Sequence, residues 1–109
     1  MKVSWQEDKI VMKFLNYVTN RGFKLIQFRD AYDELCDMQE SSHMEPHIWL
    51  GTHSPNPKIL ASKTDPNGIG WIDYKMPEDV LVSHRMHLSK KQCVSLGLKL
   101  LKYGIFEKL

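Results

Sequence analysis

At 109 residues, with 42% apolar and 26% charged residues, the chain has the composition of a single globular domain over residues 1–109, which excludes a disordered or low-complexity protein, and the order of its predicted elements makes it α+β. A net charge of +2 excludes the dense basic stripe of a duplex-nucleic-acid coater and the acidity of a nucleic-acid mimic, so any anion selectivity must come from local placement. A domain of this size buries one modest core, and self-association would help it. The N-terminus carries no signal-type apolar run, and no stretch reaches the length of a bilayer span. Two cysteines far apart, Cys36 and Cys93, point to a reducing, intracellular setting with free thiols, with a disulfide as the alternative.

Ser4-Trp5-Gln6-Glu7 reads as a capping box, followed by a stripe of Val11, Leu15 and Val18 with Ile10, Phe14 and Tyr17 beside it. This spacing predicts an N-terminal helix over roughly 5–20, stopped at Asn20-Arg21-Gly22. Phe23–Arg29 and Leu35–Glu40 then read as the two strands of a hairpin turned by 30–34. Ile48-Trp49-Leu50 follows as a short buried strand between Pro46 and Gly51. Connections this short favour a small antiparallel sheet.

From Thr52 to about Glu78, four prolines and the Asn67-Gly68 pair predict a long central loop, folded over something by Ile59-Leu60 and by Trp71-Ile72-Asp73-Tyr74. Asp79–Val82 reads as a returning strand that continues into His84–Leu88. Ser89 and Gln92 form a second capping box, with Leu88 and Cys93 spaced as a hydrophobic staple. A C-terminal helix is expected from about Lys90 to Tyr103, burying Val94, Leu98 and Leu101 and capped by Gly104. Gly97 lies inside it and marks close packing against another helix.

Metal and nucleophile chemistry find little support. There is no C-x-x-C, Glu45-Pro46 separates His43 from His47, and His84 and His87 sit at a spacing that sends strand side chains to opposite faces. Both cysteines stand in apolar settings, and Walker, dinucleotide and G-x-S-x-G motifs are absent. His87 could catalyse, but no partner for it is identifiable.

Anion binding is better supported. The first turn of the C-terminal helix gathers Ser89, Lys90 and Lys91 behind His84, Arg85 and His87, and a helix start offers free amides and a positive dipole end. The planar forks of Arg29 and Arg85, at two strand ends, would clamp phosphates if those ends meet. Trp71 and Tyr74 could stack on a base, and Asn67 could read its edge. The alternative is that Trp71 and Tyr74 cover the sheet while Arg29 pairs with Asp30 or Glu34.

Four strings in the chain carry a resemblance: Phe28-Arg29-Asp30-Ala31-Tyr32, Gln39-Glu40-Ser41-Ser42, Ile48-Trp49-Leu50-Gly51 and Arg85-Met86-His87-Leu88-Ser89. Over residues 28–104 the chain resembles the first class of phage Thoeris anti-defence proteins. The resemblance implies a non-enzymatic sponge in the host bacterial cytoplasm. Such a protein sequesters the cyclic ADP-ribose signal of host TIR-domain proteins, or cyclic oligonucleotides, without cleaving it. It further implies homo-oligomers with pockets at subunit interfaces, phosphate contacts at Arg85 and Arg29, and a base contact at Asn67. On this reading Trp71 covers the base, while Ser89 and the first-turn amides receive the anion. Two alternatives belong to other classes: a protein–protein inhibitor of a host nuclease defence complex working through Ile105-Phe106 and the helix lysines, and a small enzyme degrading the signal through His87.

Overall fold

The computed structural model describes residues 12–109. Five antiparallel strands form the main sheet: β1 (Leu15–Val18), β2 (Lys24–Arg29), β3 (Leu35–Glu40), β4 (His47–Thr52) and β7 (Arg85–Ser89), lying side by side in that order. A separate two-stranded ribbon, β5 (Lys58–Leu60) and β6 (Trp71–Asp73), projects between β4 and β7. One helix, α1 (Lys90–Phe106), closes the chain.

The expected N-terminal helix is corrected here. Residues 1–11 lie outside the described part, but Leu15–Val18 is a strand, its Leu15 opposite Gln27 and its Val18 opposite Lys24. Asn20-Arg21-Gly22 is therefore a hairpin turn and not a helix stop. Thr19 N–H donates to Phe23 O at 2.8 Å and Gly22 N–H to Thr19 O at 2.9 Å, with Gly22 at φ 88°. A glycine in the left-handed region serves either a helix C′ position or a hairpin, and the β-branched Val18-Thr19 pair decides for the strand.

The β2–β3 hairpin forms where the sequence predicts it. Asp30 turns the chain by accepting the N–H groups of Tyr32 at 2.8 Å and Glu34 at 3.0 Å, an Asx turn. The third strand is longer than expected, taking in His47 and Thr52. Asp79–Val82 is not a strand: Val80 N–H donates back to Pro77 O, and pairing starts only at Arg85.

The central loop is also more ordered than expected, since Ile59 and Ile72 face each other across the ribbon and Ala61 N–H donates to Gly70 O at 2.8 Å. Capping of α1 follows the predicted box at Ser89 and Gln92. The helix runs through Gly104, however, and ends at Glu107, whose φ of 58° brings its N–H to Tyr103 O.

Alternation along the strands sorts the sheet into two unlike faces. Ile26, Phe28, Cys36, Met38, Ile48, Leu50, Met86 and Leu88 share one face by register. Gln27, Arg29, Asp37, Gln39, Trp49, Arg85 and His87 share the other. Of the apolar face Cys36 is buried, Met86 is exposed and the rest are half-buried. Among the described residues only Cys36 and Ala61 are buried apolar side chains, and α1 buries none, so Val94, Leu98 and Leu101 are exposed where burial was expected.

Candidate functional site

The polar face of the sheet gathers the chemistry. Register sets Gln39, Trp49 and His87 in one cross-strand row and Asp37, Gly51 and Arg85 in the next. Glycine is required at position 51, because a Cβ there would lie 2.7 Å from Arg85 Cα. That close approach brings the Arg85 guanidinium over the Trp49 indole, 5.3 Å from its centroid, a cation–π contact. The His87 imidazole stacks on Trp49 at 4.1 Å and 25°, His47 stacks on His87 at 4.6 Å, and His43 packs beside both. A 2.8 Å hydrogen bond between His87 Nε2 and Ser41 Oγ fixes the imidazole. Burial, then the neighbouring His47 and His43 rings, lowers the His87 pKa from 6.5, so this stack favours the neutral ring.

Arg85 is further oriented from β3. Its Nη1 donates to Gln39 Oε1 at 3.1 Å and lies 3.7 Å from Asp37 Oδ1. Asp37 is only 2% exposed; its Oδ2 accepts from His53 Nδ1 at 2.7 Å, while Oδ1 is buried without a hydrogen-bond partner. A buried carboxylate of this kind holds nearby cations in place at a desolvation cost. Beside the stack, a cleft of about 480 Å³ is lined by Gln39, Glu40, Ser42 and Trp49 and by Thr19, Asn20, Arg21 and Phe23. The Arg21 guanidinium lies over the Phe23 ring at 5.4 Å.

Of the residues predicted from sequence, Arg85, His87 and Ser89 lie on one face of β7. Ser89 is engaged as the cap: its Oγ accepts from Gln92 N–H at 3.2 Å, and Gln92 Oε1 accepts from Ser89 N–H at 2.9 Å. Arg29 is not beside Arg85. Strands β3 and β4 intervene, a lateral distance of about 14 Å at normal strand spacing, and its Nη1 donates to Asp33 O in the hairpin turn. Trp71 and Asn67 belong to the ribbon and its connecting turn, both exposed and apart from this face, with Asn67 N–H donating to Asp65 Oδ1.

Sequence reasoning missed Trp49, Arg21 and the Asp37–His53 pair. Trp49 sat inside the apolar run Ile48-Trp49-Leu50, which hid its place on the polar face. Its spacing of two from Gly51 and from His47 was the available signal. The Asp37–His53 pair depends on the β3–β4 register and had no local signal. Burial, followed by the charges of Asp30, Glu34 and Asp37, raises the Cys36 thiol above its ordinary pKa, which keeps it an inert core group.

Both cysteines are free thiols. Among the described residues no helix is long and apolar enough to cross a membrane, and no cluster of histidine, cysteine and carboxylate groups could hold a metal ion. Comparison of the chain with family models, with curated proteins and with solved structures finds no match.

Proposed function

We propose that the protein is a phage anti-defence sponge that binds a cyclic nucleotide immune signal in the host bacterial cytoplasm and holds it without cleavage. The signal is a cyclic ADP-ribose isomer or a cyclic oligonucleotide. The observation that carries this reading is Trp49, which has the Arg85 guanidinium and the His87 imidazole against its ring and lines a cleft together with Arg21 and Phe23. Two arginines can take phosphate oxygens while the aromatic walls take a base. The cleft volume lies in the range of small-molecule sites. The motif strings that carry the resemblance support the same reading, since Gln39, Ser41, Trp49, Gly51, Arg85 and His87 belong to them and gather on one face.

A sponge works by affinity alone, and the experiment that tests it is native mass spectrometry of the protein mixed with a panel of cyclic nucleotides. The expected result is an adduct of intact ligand mass, with the same ligand recovered chromatographically after heat denaturation. No adduct across the panel would overturn the reading.

The Asp37–His53 pair favours a second reading, a signal-degrading enzyme. A buried carboxylate on Nδ1 leaves Nε2 as a base able to take a proton from water. Under that reading the heated sample returns product instead of ligand.

A further inference from the structure

We propose that α1 docks the protein on a bilayer surface rich in anionic lipid, with Val94, Leu98, Leu101 and Ile105 laid among the headgroups and Lys90, Lys91 and Lys102 against the lipid phosphates. These four apolar residues are each 59–63% exposed, and at about 100° per residue they share one stripe of the helix. By the same spacing Lys90 stands on one border of the stripe, and Lys91 and Lys102 stand on the other. The half-buried residues of α1 are Cys93 and Leu96, and Leu96 lines the groove shared with Met86 and Leu88 of β7. The stripe therefore points away from the chain's own sheet.

Charge selects the occupant. The helix holds four of the fifteen basic residues and none of the thirteen acidic ones, so the remaining eleven bases and thirteen acids leave the rest of the chain at −2. Among the described residues no lysine of α1 is in an ion pair, and Lys102 Nζ reaches only the Leu109 carbonyl, at 3.4 Å. Lys90 and Lys91 stand at the positive end of the helix dipole, where they weaken an isolated helix and gain from an outside anion. An occupant must then supply negative charge along both borders of an apolar stripe. Anionic headgroups do so in any orientation, whereas a second α1 brings only more lysines.

Shape agrees with charge. From Gly97 to Leu109 every residue is exposed, and the apolar ones circle the helix: Leu100 and Tyr103 stand on a second side, Phe106 on a third. A protein groove covers one stripe. The boundary between headgroups and acyl chains takes apolar side chains from all around a helix end, while lysine stems reach back to the phosphates. Tyr103, with an apolar ring and a polar hydroxyl, suits that boundary. Among the described residues no helix is long and apolar enough to cross a membrane, so α1, at 17 residues, lies on the bilayer and does not span it. The proposal is independent of the ligand taken by the polar face of the sheet.

Flotation of the full chain with vesicles tests it. Vesicles of phosphatidylglycerol and phosphatidylcholine in equal parts are expected to carry the protein upward, and phosphatidylcholine alone to bind it at least about tenfold more weakly. Leu98→Ser/Leu101→Ser should abolish flotation with the circular-dichroism signal kept, since both side chains are exposed in the single chain. Lys90→Gln/Lys91→Gln gives a readout that misfolding cannot mimic. It relieves the helix dipole yet should weaken binding to the mixed vesicles by about tenfold or more. Absence of flotation on the mixed vesicles overturns the proposal, whether the stripe then proves to be covered by a second copy, by a foreign protein or by nothing. Equal binding to both kinds of vesicle, or a lysine variant that floats as well as the wild type, does so too.

Discussion

His87 shows how one residue ties the fold to the site. It stacks on Trp49, is stacked on by His47, and is hydrogen-bonded to Ser41, so its ring cannot turn toward solvent without breaking all three contacts. Its pKa is lowered, which means the unfolded chain takes up the proton more readily than the folded one as the pH falls below the ordinary 6.5. Stability carried by His87 is therefore complete above 6.5 and declines through the window down to the lower folded value. Chemical denaturation of wild type and His87→Gln across that window should show the wild type losing more stability on acidification. Parallel pH dependence of the two proteins would show that the ring is not held neutral by this stack. Acidification should act oppositely on ligand affinity, because an imidazolium beside Arg85 adds positive charge for a phosphate.

Among the elements, α1 was the most legible in the sequence and the N-terminal strand the least. The Ser89–Gln92 box uses only local geometry, so its four-residue signature predicts its two hydrogen bonds directly. Ser89→Ala should lower stability by about 1 kcal/mol, read from the midpoint of denaturant unfolding. A change near zero would mean that the Gln92 contact alone sustains the helix start.

The β2–β3 hairpin was equally plain, because Asp30 announces its Asx turn and both flanking runs alternate. The first strand misled because Phe14, Leu15, Tyr17 and Val18 satisfy helical and strand periods alike over so short a run, and Gly22 suits both endings. The ribbon was hidden by its length: strands of three residues, bounded by prolines, leave no period to read. The site was half legible. Arg85, His87 and Ser89 stand together at a strand end in the sequence, whereas Trp49 and His53 join the candidate site only through pairings between distant segments.

For the whole molecule, the two faces of the sheet divide the work. One collects polar and cationic groups around an indole. The other is apolar and mostly half-buried, and beside it α1 exposes Val94, Leu98 and Leu101. Arg29 lies across the sheet from Arg85 and holds the hairpin turn, so within one chain these two arginines do not form a clamp. Arg85→Ala and Arg29→Ala therefore separate this geometry from the clamp expected at the strand ends.

Isothermal calorimetry with cyclic ADP-ribose isomers and cyclic oligonucleotides measures this directly. Loss of Arg85 should cost affinity on the order of 2–5 kcal/mol, since it removes a charged contact that Gln39 and Asp37 hold in position, while Arg29→Ala binds like the wild type. Binding unchanged in Arg85→Ala would contradict the site, and with it the account of what this sheet face is for.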